Sequence, residues 1–242
     1  FLGCGNLPTM RTEQTINFER KNWQMIKISV LTKVSFFLMT LIFLSCVQKP
    51  EEYAIIETEE GQIVLKFFPD VAPKHVESFK ILAREGYFNG TSFHRVMPGF
   101  VIQGGDPNSK DGDRDNDGKG GRAGKYYGVG EEDNPDTWML PAEFNDRPHR
   151  RGTLSMARGP QENSAGSQFF ICVGDQLQLD NKYTVFGEVI EGLDTVDRIV
   201  NTLTPRKSNP NYQRPDRDNP VVGMFMDVTV GTAEELKLDL SN

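Results

Sequence analysis

Phe93-His94-Arg95-Val96-Met97-Pro98-Gly99-Phe100-Val101-Ile102-Gln103-Gly104-Gly105-Asp106 sets one arginine and one glutamine among apolar residues that alternate with the two-residue period of a strand. The stretch reads as two short strands, Phe93 to Met97 and Phe100 to Gln103, with turn residues between them. A fixed cation beside an apolar surface suits a site for a neutral, partly apolar ligand.

Working outward, Tyr53 to Thr58 and Gln62 to Phe67 alternate on either side of Glu59-Glu60-Gly61, which predicts a β-hairpin. Pro73 fits the first turn of a helix in which Val76, Phe79, Leu82 and Ala83 share one face and Gly86 supplies the stop. Further strands are predicted at Gly152 to Ala157, Gln168 to Val173, Val185 to Ile190 and Met224 to Val230, with a second helix over Leu193 to Val200. Many short strands and two helices favour a closed β-barrel over a βαβ sheet. Two long loops interrupt this plan, Pro107 to Asp136 and Thr202 to Pro220, and loops of that length in a compact domain are functional or disordered.

The formal charge of −7 over 242 residues and the lack of any Lys/Arg-rich block exclude a nucleic-acid partner, which needs a basic face. Residues 1–24 lack periodicity and are expected to precede the true protein, with Met25 as its start. Residues 25–46 resemble a bacterial lipoprotein signal peptide: a short basic run, an apolar stretch from Val34 to Leu44, then Ser45-Cys46, although Phe43 stands where such signals usually carry leucine. Cys46 is then the lipidated residue, 47–52 a tether, and the protein is expected on a membrane of the bacterial cell envelope, facing the periplasm or the surface. Cys172 remains as the single thiol of the mature domain, so no internal disulfide is available.

Phe67 to Lys74, Phe93 to Asp106, Gly152 to Ala157, Gly166 to Ile171 and Thr184 to Gly187 together resemble the cyclophilin family of peptidyl-prolyl cis/trans isomerases. They occur in family order. The resemblance covers roughly residues 53–231 and places one such domain at 53–235, with the acidic loop 107–136 as an insertion and 236–242 as a tail. It implies a mainly β fold, a closed eight-stranded barrel capped by two α-helices. It also implies rotation of Xaa-Pro peptide bonds in exported proteins as an aid to folding, with proline-containing polypeptides as partners, no cofactor, and a monomer.

Residue by residue, the resemblance gives Arg95 as the donor to the prolyl nitrogen and Gln103 as the residue that orients it. Phe100, Val101, Phe170 and Leu179 form the ring pocket, and the Arg158 backbone pairs with the peptide. Gln178 and Tyr183 complete the substrate groove, but Val101 stands where methionine is common, Gln178 where many members carry tryptophan and Tyr183 where many carry histidine. Weak binding of cyclosporin-type macrocycles is therefore expected. The rival reading is a proline-peptide receptor or chaperone on the same barrel.

Taken singly, these residues read otherwise. Arg95 alone is a salt-bridging strand residue and the phenylalanines are core. His75, His94 and His149 lack metal-ligand spacing and read as satisfied structural histidines, and no G-x-S-x-G elbow surrounds Ser155 or Ser167. In the acidic loop, Asp113, Asp115, Asp117 and Gly118 match the first half of a calcium loop, but Gly124 occupies the position due a glutamate. A solvated loop is the first reading there and calcium the second.

Overall fold

The computed structural model describes residues 50–240. The segment 1–24, the signal over 25–46 with Cys46, and the start of the tether lie outside the described residues.

The first hairpin pairs β1 (Glu52–Thr58) with β2 (Gly61–Phe67) in antiparallel register, Tyr53 opposite Lys66 and Thr58 opposite Gly61. Thr58 closes its turn twice, donating to the Gly61 carbonyl at 2.8 Å and accepting from the Glu60 amide at 3.2 Å. Helix α1 (Pro73–Arg84) follows with Pro at its start, where the missing N–H has no intrahelical partner to lose. Its buried face, His75, Val76, Phe79, Leu82 and Ala83, follows the helical period and lies against the later strands β7 (Ala165–Cys172), β8 (Val185–Glu191) and β9 (Phe225–Thr232).

The decisive stretch contributes β4 (Arg95–Val96) and β5 (Val101–Gly104), β3 (Thr91–Ser92) lies just before it, and β6 (Thr153–Arg158) completes the set. The nine strands run in the order β3-β9-β1-β2-β8-β6-β7-β5-β4. This departs from the closed eight-stranded ring that the resemblance implies. The predicted strand Phe93 to Met97 shrinks to Arg95–Val96, and a new short strand, β3, precedes it. These two are the ends of the sheet, yet only Phe93 and His94 separate them in sequence. The chain itself joins the two edges, where a full ring would use a hydrogen-bonded ladder.

Helix α2 (Leu193–Asn201) lies against β2, β4 and β5. It begins at Gly192, whose φ is +89° and where a Cβ would stand 2.1 Å from the Gln62 carbonyl oxygen; only glycine fits this crossing. The core is aromatic at its centre: the Phe79 ring lies 4.8 to 5.7 Å from those of Phe67, Phe88, Phe169 and Phe186.

The two long loops are ordered by one another. Arg114 of the first donates to the Asn219 and Pro220 carbonyls of the second at 2.7 and 2.8 Å. Arg214 pairs with Asp115 at 2.8 Å, and the Asn219 amide donates to Asp117 at 2.6 Å. Within the second loop a short helix, α3 (Pro205–Ser208), is capped by Thr204, and a 3-10 turn at Pro215–Asp218 lies against β4.

Candidate active site

A strand presents alternate residues to opposite faces, so an apolar run along one strand supplies two separate clusters. Phe169 and Ile171 of β7 and Ile102 of β5 point into the main core. Their neighbours Phe170, Cys172 and Val101 point the other way and form a second buried cluster, against which Phe100, Ala157, Leu179 and Tyr183 pack. This outer cluster is the floor of a pocket of about 130 Å³ lined by Arg95, Phe100, Val101, Gln103, Ala157, Arg158, Phe170, Leu179 and Tyr183.

Arg95 on β4 lies opposite Gln103 on β5, and its Nη1 donates to Gln103 Oε1 at 3.1 Å. Gln103 in turn donates through Nε2 to Gln168 Oε1 at 2.9 Å, and Gln168 Nε2 donates to the Gly120 carbonyl at 2.7 Å. The guanidinium carbon stands 5.6 Å from the Phe100 ring centre. Burial lowers the pKa of Arg95, opposed by nearby Asp218; a guanidinium nonetheless remains charged at neutral pH. The result is a half-buried cation, braced on one side and open to an apolar pocket on the other.

The Phe170 ring is fixed from two directions. Tyr183 meets it edge-on at 5.7 Å, and His149 stacks on it at 6.0 Å with 19° between planes. His149 is fully buried, with Nδ1 2.8 Å from Asp180 Oδ1 and Nε2 3.0 Å from Ser155 Oγ. Burial pulls its pKa down, against the opposing effect of Asp180, and the Ser155 hydroxyl also donates to the Thr184 carbonyl at 3.0 Å. A second hollow of about 280 Å³ adjoins the pocket, sharing Gln103, Ala157 and Arg158 and lined further by Gly118, Gly120, Gly121 and Gln168.

All the predicted pocket residues except Gln178 therefore meet at one place. Gln178 is exposed in a 3-10 turn (Leu177–Leu179), where its amide donates to Gln176 Oε1 at 2.7 Å; Leu179 lines the pocket instead. Arg158, predicted for its backbone alone, also brings its guanidinium, which donates to the Lys182 carbonyl at 2.9 Å and lies 4.9 Å from the Tyr183 ring centre. Gln168 was not legible as a site residue, although its place in an apolar run, directly before two phenylalanines, marks it as an uncommon polar choice. Two histidines are satisfied as expected, His75 on Glu143 at 2.7 Å and His149 as above. His94 is not: it is buried and, among the described residues, neither ring nitrogen meets a hydrogen-bond partner.

The acidic loop does not gather a cation site. Asp113 accepts from the Asp115 amide at 3.0 Å, Asp115 faces Arg214 and Asp117 faces Asn219, so the three carboxylates of the calcium reading diverge. Among the described residues no group of three or more His, Cys, Asp or Glu is arranged to hold a metal ion. Cys172 is buried, and its thiol pKa is pushed up to about 12, chiefly by burial, so it is no nucleophile at neutral pH.

Comparison with known proteins agrees with this geometry. Residues 53–221 match the family described as cyclophilin type peptidyl-prolyl cis-trans isomerase/CLD. A probable peptidyl-prolyl cis-trans isomerase of Brucella abortus (strain 2308) is 47% identical over 150 residues, 62% of this chain and 72% of the relative. A peptidyl-prolyl cis-trans isomerase of Synechococcus elongatus is 40% identical over 155 residues, 61% of this chain and 92% of that protein. Among solved structures, a Cryptosporidium parvum cyclophilin type isomerase crystallised in the presence of the dipeptide Ala-Pro superposes with a TM-score of 0.60 at 29% identity, covering 74% of this chain and 99% of that one. With the braced arginine, the apolar pocket and the curled sheet in place, this chain belongs to the cyclophilin-type peptidyl-prolyl cis-trans isomerases.

Proposed function

We propose that this isomerase turns Xaa-Pro bonds in exported polypeptides at the bacterial cell envelope, and that Arg95 is its catalytic residue. The observation that carries the assignment of Arg95 is its place at the mouth of the pocket, braced by Gln103 with its remaining donors free to face a bound peptide. Location on a membrane through lipidated Cys46 is supported by the sequence pattern alone.

Rotation about the amide must break conjugation, a barrier of ~18–20 kcal/mol. As the bond twists, the prolyl nitrogen regains a lone pair and pyramidalises, and a donor aimed at it then binds the twisted form better than either planar form. Arg95 supplies that donor. A charge-assisted hydrogen bond contributes ~1.5–3 kcal/mol, equivalent to about 10- to 150-fold in rate.

The pocket supplies a second part. An apolar cavity of about 150 Å³ accommodates benzene, so one of about 130 Å³ takes a pyrrolidine ring. Phe170, Leu179 and Phe100 hold that ring while the preceding carbonyl swings, and the dry surroundings disfavour the more dipolar planar amide. The peptide backbone lies along the end of β6. There β8 accompanies β6 only as far as Ser155, and Met156 donates to the Thr184 carbonyl at 3.0 Å before Arg158 is reached. The Ala-Pro dipeptide present with the Cryptosporidium relative supports a proline peptide as the occupant.

The test is chymotrypsin-coupled isomerisation of a suc-Ala-Ala-Pro-Phe anilide by the domain and by Arg95→Ala. The domain accelerates the cis phase and the variant loses about 10-fold or more. If the variant retains full activity, Arg95 is not the catalyst; if neither is active yet a proline peptide binds, the barrel is a receptor.

A further inference from the structure

The second long loop adds charge to the neighbourhood of Arg95. Its 3-10 turn lies against β4, the strand that carries Arg95. Arg206 of α3 and Arg217 of the turn converge on one carboxylate, Asp218, at 3.0 and 3.6 Å. All three act electrostatically on Arg95, Asp218 favouring its charge and the two arginines opposing it. Two further carboxylates nearby are engaged elsewhere: Asp216 with Tyr212 at 3.0 Å and Arg114 at 3.8 Å, and Asp180 with His149 at 2.8 Å. On the opposite wall Arg158 spends its donors on the backbone carbonyls of Lys182 and Gly159, which leave its charge unneutralised.

Arg95 and Arg158 line the pocket, and Arg206 and Arg217, joined through Asp218 in the loop that packs on β4, add two further guanidinium groups on the Arg95 side. We infer that the second long loop makes this enzyme selective for Xaa-Pro bonds flanked by acidic side chains, with Arg206 and Arg217 setting the preference and Asp218 holding them in place. The inference rests on the isomerase reading above. Arg206 is half-buried, so its position is fixed by packing, whereas Arg217 is exposed and reaches a passing side chain. Lysine-flanked prolines meet the same charge as repulsion.

Blocked pentapeptides Ac-Ala-Xaa-Pro-Xaa-Ala-NH2, with Xaa as Glu, Ala or Lys, test this by exchange NMR, each catalysed rate divided by the uncatalysed rate of the same peptide. The Glu peptide should exceed the Lys peptide about 3- to 10-fold, the size of one to two exposed ion-pair contacts. The ratio should collapse toward one as salt rises from about 10 mM to about 1 M, which shortens the screening length from about 30 Å to about 3 Å. Arg206→Gln should lower the Glu-to-Lys ratio and Arg206→Lys should restore it; a ratio taken within each variant cancels any general loss of activity. If the Ala peptide is accelerated while Glu and Lys differ by less than twofold, the charge preference is refuted and the isomerase reading stands. If no peptide is accelerated, both fall.

Discussion

Gln168→Leu probes whether Arg95 is held by a chain of amides or merely sits in a pocket. The substitution keeps roughly the side-chain length and deletes two links at once, the acceptor at 2.9 Å for Gln103 and the donor at 2.7 Å to the Gly120 carbonyl. Gln103 then keeps only its bond from Arg95, at 3.1 Å, and is free to rotate. A neutral hydrogen bond contributes a net ~0.5–1.5 kcal/mol, so kcat/KM should fall about 2- to 12-fold. That is less than the loss expected from deleting the guanidinium itself. The fall should lie in kcat, because Phe100, Phe170 and Leu179, which bind the ring, are untouched. The assay is the coupled one on the two single variants and the double variant with Arg95→Ala, beside a thermal melt to separate misfolding from misplacement. With Arg95 gone, Gln168→Leu should add nothing further. Additive losses in the double variant, or a single variant within twofold of the parent, would refute the amide chain as the support of Arg95.

Two further outcomes concern stability. Phe79→Ala removes the ring that touches four others at the core centre, and it should cost about 3–5 kcal/mol in urea denaturation, while the pocket, built on the separate outer cluster, keeps its activity in the folded fraction. Acid should act through His94 and His149, whose pKa values burial pulls below the ordinary value near 6.5. The unfolded chain takes up protons as the pH falls through about 6.5 while the folded chain stays neutral there, so stability is complete above that pH and declines below it until the lowered folded values are passed. The denaturation midpoint should fall between about pH 7.5 and about pH 5.5, a window above most carboxylate titrations; a flat midpoint would show that neither ring is held neutral.

Much of this architecture is legible in the chain because it rests on periodicity. The hairpin around Glu59–Glu60, the face of α1 and the two-sided run Phe169 to Cys172 each carry their own signal. What the periodicity does not carry is pairing over distance. A two-residue strand such as β3 is too short to alternate, and its partner, β9, lies over 130 residues later, so the count of strands moved from eight to nine. The same limit hid Gln168, whose role depends on Gln103 and Gly120 meeting it from other segments. The partners of the acidic loop were hidden in the same way: Asp115 is held by Arg214 and Asp117 by Asn219, from a segment about a hundred residues later. Gln178 matches the family by position, but its amide donates to Gln176 Oε1 and its side chain does not line the pocket.

The mutual clasp of the two long loops makes them a single heritable unit. Arg114 holds carbonyls of the second loop, and Arg214 and Asn219 hold aspartates of the first, across about a hundred residues of sequence. Trimming either loop alone strands charged or polar groups that the other was satisfying, whereas trimming both together removes each group with its partner, provided the segment that carries Gly120, the acceptor for Gln168, is kept. An engineer seeking a minimal isomerase would therefore excise the loops as a pair. A lineage that shortened one would be expected to shorten or recode the other, and with it the arginines that sit beside Arg95.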